Sequence, residues 1–339
     1  MQFNFDRESE RLATVVQLAS ASADARQRLI DEYQKRSEAA FAETTLRSYR
    51  QIISNFIRWC ELHGFDHVPP IEPLTVAEYI DDMGGKLKST TIETRLWAIS
   101  EMHRAAFQPT PCRHRLVELA LKGVKRRYGA GVRQAPPLSK REVLEAIGRL
   151  GDSRIELRDK ALLWVATDSW CRSSEIVAFK VRDIHRQLDG TSLLYVTRSK
   201  TDRYGEGAYA FLSEAGTLAV LEWAKVAELK ADDPLLTKSQ RNGLKTPLDP
   251  ATISRIMRRC TGRKDISAHS TRVGGVQDAF RLGCDLSSIM VAGRWSSPEM
   301  PARYGRRILA SQSAAAQVSA AFTEPKSRSW VSEGQASPK

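Results

Sequence analysis

From about Ser22 to Tyr128 apolar residues recur at three- and four-residue steps, the spacing that gathers them on one side of an α-helix. In TTLRSYRQIISNFIRWCELHGF, Leu46, Tyr49, Ile53, Phe56, Ile57 and Cys60 form such a stripe, and Gly64 closes it. TVAEYIDDMGG opens with Thr75, carries Glu78 three residues on in a capping-box spacing, and ends in two glycines. Ile92, Leu96, Ile99 and His103 continue the period, and RHRLVELALKGVKRRYG follows. The pattern predicts an all-helical domain of four or five helices over residues 25–128, with arginine and lysine on its polar faces.

Periodicity fails at Gly129–Gly131, and Pro136–Pro137 stiffen the chain, so residues 129–138 read as an extended interdomain linker. A second domain over 139–322 opens with the capping box Ser139 to Glu142. Helical patterns recur at 157–168 and 172–178, then SLLYVTRSKTDRYGEGAYAFLS reads as two strands joined by a polar turn. Helices follow at about 214–229, 249–260, 269–282, 285–293 and 297–305, and LASQSAAAQVSAAF has the pattern of one more short helix. The expected fold is mainly α: a helical domain, then a mostly helical domain with a small antiparallel sheet. Residues 1–24 read as an N-terminal extension, and 323–339 have the composition of a flexible tail.

Composition narrows the class. With 339 residues, 42% hydrophobic and 27% charged, the chain reads as a soluble globular protein. It shows no apolar run of membrane-spanning length and no signal-peptide pattern at its start. Five widely spaced cysteines without a C-x-x-C pair fit reduced thiols in a cytoplasm, and no histidine or carboxylate pattern resembles a metal cage. Neither a metal nor another cofactor is expected. The net charge of +12 points to a polyanionic partner, with nucleic acid ahead of a membrane surface. Lys122, Lys125, Arg126, Arg127 and Arg133 crowd the domain junction, where they would track phosphates; Arg47, Lys88 and Arg95 are candidates on the helices.

The candidate chemistry lies in the second domain. Arg172 and Glu175, in CRSSEIVAF, share one face of the helix they begin. Lys200 sits on the tip of the expected hairpin. His269 and Arg272, in SAHSTRVGG, repeat the three-residue spacing at a helix start, where backbone N–H groups favour an anion, and Gly274 and Gly275 allow close backbone approach. Trp295 carries one N–H donor, and nine residues on Tyr304 sits among Arg303, Arg306 and Arg307. Those residue types match what cleaving a phosphodiester without metal requires. Arginine forks hold the non-bridging oxygens, a nucleophile attacks, and a proton donor serves the leaving alkoxide. A phenol with a reference pKa of about 10 needs nearby positive charge to ionise.

The order Arg–Glu, Lys, His-x-x-Arg, Trp, Tyr resembles that of the tyrosine recombinase (phage integrase) family, and within it the Cre-type branch. DSWCRSSEIVAFKVRDI, RSKT, AHSTRVG and AGRWSSPEMPARYGR carry the likeness, which extends over roughly residues 25 to 322. The resemblance implies a site-specific DNA recombinase whose two domains close as a clamp on duplex DNA. It implies Arg172 and Arg272 on the scissile phosphate, with His269 and Trp295 adding hydrogen bonds and Glu175 as buttress. It implies Tyr304 as nucleophile, leaving a 3′-phosphotyrosyl link, and Lys200 as the acid for the 5′-hydroxyl. Partner copies are implied too: a dimer on one site, a tetramer in synapsis, and a C-terminal helix bearing Ile308, Leu309, Ala315, Val318 and Phe322 passed between protomers.

Two departures stand out. The family commonly has Gly-Leu where this chain has Trp170-Cys171, and a thiol beside Arg172 suggests sensitivity to oxidation. Many members carry histidine in place of Trp295, as the Cre type does not. Two other readings stay open from sequence: a helical DNA-binding regulator without recombinase activity, and the same chemistry used for type IB relaxation or hairpin telomere resolution. The target site, and the choice between integration, excision, dimer resolution and cassette movement, are not encoded in these motifs.

Overall fold

Residues 23–131, 134–197, 206–238 and 245–323 are described by a computed structural model of the protein. The chain divides between Arg133 and Gln134 into two units. In the first, the apolar stripes become α1 (Ala23–Ala40), α2 (Glu43–His63), α3 (Pro73–Met83), α4 (Ser89–Ala105) and α5 (Arg115–Tyr128). Their inward faces meet in a core of Phe56, Trp59 and Cys60 from α2, Tyr79 and Ile80 from α3, Ile92 and Ile99 from α4, and Val117 and Val124 from α5. Gly64 ends α2 in the left-handed conformation (φ 72°), where glycine carries no Cβ penalty. His103 is buried within this core: its Nδ1–H donates to the Ile99 carbonyl (2.8 Å) and its Nε2 accepts from the Ile71 N–H (3.1 Å). Both nitrogens are occupied, and burial pushes the ring's pKa down.

The Thr75–Glu78 spacing misplaces the start of α3. Pro73 lies in the first turn, where a fixed φ suits the helix and a missing N–H costs nothing, so Thr75 is a buried helix residue and not a cap. Lys122, Lys125, Arg126 and Arg127 stand on α5, not in extended chain, and residues 134–138 belong to the second unit. There the Leu138 N–H donates to the Ser270 carbonyl (2.9 Å), and the Leu138 side chain is fully buried.

The second unit runs α6 (Lys140–Gly148), α7 (Arg154–Ser169), α8 (Ser173–Ala178), β1 (Ile184–Arg186), β2 (Ser192–Val196) and β3 (Ala208–Leu212). It continues α9 (Glu214–Val226), α10 (Pro250–Thr261), α11 (Ser270–Arg281), α12 (Leu286–Gly293), α13 (Glu299–Ser311) and α14 (Ala314–Thr323). The Ser139–Glu142 box caps α6 as expected. A second box, Ser153–Glu156, starts α7 earlier than its apolar pattern suggests. Helix α7 is the hub: Leu157, Ala161, Leu162, Leu163, Val165 and Ala166 are buried on several sides, against α6, α9, α10, α11 and β3.

The three described strands form an antiparallel sheet in the order β1-β2-β3, with Tyr195 opposite Tyr209 and His185 opposite Leu193. Strand β1 was not visible in sequence, because its three residues, two of them polar, are too short to show alternation. Buried Asp168 ties this framework together. It accepts from Lys140 Nζ and from the Ser213 N–H (2.9 Å), which joins the start of α6 and the end of α7 to the residue after β3.

Glycine at 274 is required by packing. A Cβ there would lie 1.9 Å from the Leu138 carbonyl oxygen, so α11 touches the backbone leading into α6. Gly274→Ala is expected to lower the urea-unfolding stability of the second unit by about 1–3 kcal/mol. Exposed Gly123, inside α5 with nothing within 4 Å of its Cβ position, should behave oppositely. Gly123→Ala is expected to raise stability by about 0.5–1 kcal/mol.

Candidate active site

Helix α7 stops at Trp170, which adopts a left-handed conformation (φ 49°, ψ 29°) that glycine would take without strain. Tryptophan holds it because its ring lies against Gly275, where a Cβ would come within 2.2 Å of the indole nitrogen. The reversal sets Arg172 at the N-cap of α8, and Glu175 reaches back to it. Glu175 Oε2 accepts from the Arg172 backbone N–H (2.9 Å), and Oε1 accepts from Arg172 Nη1 (2.7 Å). Glu175 is 3% exposed, while the Arg172 side chain keeps 24% exposure. The carboxylate is therefore interior, and the guanidinium looks outward.

Helix α11 brings the second arginine. Arg272 is 1% exposed, with its Nη groups donating to the carbonyls of Trp170 and Gly293. The Trp295 ring covers it at 4.2 Å from the guanidinium carbon, a cation–π contact. Gly293 leaves room for that ring, since a Cβ would meet it at 1.8 Å. His269, just before α11, pairs through Nε2 with the Tyr304 hydroxyl at 2.9 Å. Tyr304 lies on α13, 7% exposed, edge-on to Trp295 (5.9 Å) and His269 (5.4 Å). Gln277 and Gln134 donate to its backbone carbonyl.

The charges act on one another. Burial alone would raise the Glu175 carboxyl, but the Arg172 amide and guanidinium, with Arg294, hold it below the ordinary carboxylate range. Burial, with Arg172 and Arg294 adding repulsion, pushes Arg272 down to about 10, still charged at neutrality. Burial and then the two arginines push His269 below its usual value, so the imidazole is neutral at pH 7. Burial raises Tyr304, with Arg272, Arg172 and Arg303 pulling the other way, and the resting phenol keeps its proton. A neutral imidazole beside a phenol, with two guanidiniums facing them, can accept a proton and hold an anion at one place.

Residues 137–308, about half of the chain, match the sequence model of the phage integrase family. The chain belongs to that family, the tyrosine recombinases. It is accordingly an enzyme of site-specific DNA cleavage and rejoining. This phage integrase family member is 28% identical over 315 residues to the Cre recombinase of Escherichia phage P1, covering 85% of this chain and 91% of that protein. It is 27% identical over 307 residues to the integrase/recombinase XerD homolog of Selenomonas ruminantium, covering 85% and 88%. In fold it is similar to the Tn1549 transposon integrase in complex with transposon right end DNA (TM-score 0.58, 13% identity, 82% of this chain and 93% of that one). A lambda integrase dimer bound to a core site (TM-score 0.54, 17% identity, 82% and 94%) shares it as well.

The integrase fold thus gathers Arg172, Glu175, His269, Arg272, Trp295 and Tyr304, while Lys200 and Arg133 lie outside the described residues. Arg303, Arg306 and Arg307, beside Tyr304 in the chain, are not its main cations. All three are exposed on α13, and only Arg303 contributes, after Arg272 and Arg172. Among the DNA-facing candidates, Arg47 pairs with Glu43 (2.6 Å) and Lys125 with Glu93. Arg95 donates to the Tyr79 hydroxyl (2.6 Å), so it supports the fold of its own unit. Lys88, Lys122, Arg126 and Arg127 are exposed. No described helix is long and apolar enough to cross a membrane.

Sequence reasoning missed Arg294. Its side chain is 8% exposed, and its Nη2 donates to Glu175 Oε2 (3.1 Å) and to Cys171 Sγ (3.2 Å). An arginine at a helix end, between Gly293 and Trp295, carries no sequence sign of burial. The oxidation-sensitive thiol expected at 171 is also corrected. Cys171 is 1% exposed, and burial pushes its thiol up to about 11 despite Arg294. Exposed Cys284 is the accessible thiol among the described cysteines. A maleimide is expected to modify Cys284 in the folded protein and Cys171 only on unfolding; peptide mass mapping checks this, and rapid labelling at Cys171 would contradict it.

Proposed function

We propose that this recombinase cuts one DNA strand with Tyr304 and exchanges strands between two specific sites through a 3′-phosphotyrosyl link, using neither metal nor high-energy cofactor. The observation that carries the reading is the 2.9 Å contact of the Tyr304 hydroxyl with His269 inside a pocket that holds Arg172 and Arg272. His269 accepts the phenol proton as the phenol oxygen attacks phosphorus. The bond from phosphorus to the 5′-oxygen breaks as the new bond forms, and Lys200 protonates the departing oxygen. Arg172 and Arg272 hold the non-bridging oxygens, and the Trp295 indole adds a donor. A 5′-hydroxyl from the partner duplex then reverses the step. One phosphoester replaces another, so no bond energy is lost.

Assembly follows the same reading. Helix α14 exposes Val318 (57%) and Phe322 (88%), the apolar content of a helix passed to a neighbouring protomer. Ile308 and Leu309 instead pack beside Tyr304 in their own unit. Four protomers on two sites, with the two units of each closing on duplex DNA, complete the proposed complex. Its binding should weaken steeply with salt as phosphates are neutralised.

Incubation with duplex carrying the target site is expected to give a covalent complex on a denaturing gel that Tyr304→Phe abolishes. Its absence on a verified site favours the regulator reading, and cleavage without joining in trans favours the relaxation reading. Arg172→Ala should lower the cleavage rate about 10²–10³-fold. Chelation by EDTA should leave that rate unchanged. For Lys200→Ala, sulfur at the 5′-bridging position should restore cleavage, because a thiolate leaves without protonation.

The pH profile follows from His269, whose pKa is lowered from 6.5. Protonated imidazole cannot accept the phenol proton, so the cleavage rate should hold through neutrality and fall only below pH 6.5; a limb centred above pH 7 would remove His269 from this role.

A further inference from the structure

Arg294 sits where two features disfavour it. Its backbone is left-handed (φ 54°), a conformation that L side chains rarely adopt. Its buried Nε has no hydrogen-bond partner among the described residues. Strain and an orphaned donor persist where neighbouring groups over-determine them. Here those neighbours are Glu175 Oε2 at 3.1 Å, the Ser169 carbonyl at 3.1 Å and Cys171 Sγ at 3.2 Å. Arg294 also lies between Gly293, whose carbonyl receives Arg272, and Trp295, whose ring covers Arg272.

We infer that Arg294 is a positioning residue that neutralises Glu175, leaving the Arg172 charge for the scissile phosphate. Glu175 needs such a counter-ion. Its Oε1 holds Arg172 Nη1 at 2.7 Å, and an unopposed carboxylate would compete with phosphate for that guanidinium. The opposite oxygen meets Arg294, so the carboxylate orients Arg172 without cancelling it. Three guanidiniums against one carboxylate leave two positive charges in the pocket. A phosphodiester brings one negative charge, and an ionised phenol attacking it adds a second. His269 takes up the phenol proton in the same step, so the guanidiniums need only match the two charges at phosphorus, and without Arg294 they supply one positive charge fewer there. Arg294 touches neither phosphate nor nucleophile in this scheme and acts through Glu175.

The inference rests on the proposed Tyr304 chemistry, and one set of gels separates the two. Single-turnover adduct formation is measured for the full chain, wild type, Arg294→Gln and Arg294→Lys, on duplex with a normal or a methylphosphonate scissile position. Arg294→Gln is expected to slow the phosphodiester reaction about tenfold to a hundredfold, the loss typical of an orienting partner. Arg294→Lys, which restores the charge, should recover most of it. The Arg294→Gln defect should shrink on the methylphosphonate, whose neutral phosphorus needs one positive charge fewer. Adding Glu175→Gln to Arg294→Gln should cost less than the separate losses combined, because the competing carboxylate is gone. Equal rates for Arg294→Gln and wild type, additive losses, or the same defect on both substrates would overturn the inference while Tyr304 chemistry stands. Lack of a wild-type adduct would overturn both.

Discussion

A fully buried guanidinium organises the second unit. Arg272 must leave water, and an uncompensated buried charge would cost several kcal/mol. Compensation comes from main-chain carbonyls at two ends of the fold: Trp170 after α7, and Gly293 at the end of α12. The Trp295 ring closes the remaining face. Both carbonyls sit at chain reversals: Trp170 is itself left-handed, and so is Arg294, the residue after Gly293. Burying one charge therefore fixes where α8 begins, how α12 ends and where α13 sets off.

The same charge governs the phenol. Tyr304 is interior, and burial outweighs the pull of the arginines, so the resting hydroxyl stays protonated. Its hydrogen bond to a neutral His269 gives the proton somewhere to go. In the proposed chemistry the nucleophile stays quiet until a phosphate lies between the guanidiniums, which suits an enzyme that must not attack adventitious esters.

Much of the fold was legible because it depends on local patterning. Helices α2 to α5 of the first unit followed from three- and four-residue apolar steps and cap signals, and Gly64 and the Ser139–Glu142 box marked real boundaries. The errors have local causes as well. Pro73 displaced the start of α3 from Thr75, and β1 was too short to alternate. The Gly274 and Gly275 pair read correctly as a place of close approach, but sequence did not say to what. The answers, the Leu138 backbone and the Trp170 ring, are remote in the chain.

By itself, the sequence determined the class of the chain, its family motifs and the kinds of chemistry those residues perform, since side-chain type and helical spacing are properties of neighbours along the chain. Only the tertiary structure decided which cations face Tyr304, that Cys171 is sealed, and that Arg294 shares Glu175 with Arg172. Electrostatic influence falls with distance through space and rises with burial. The arginines beside Tyr304 in the chain are exposed, and the strongest pull on its hydroxyl comes from Arg272 and Arg172, remote in the chain.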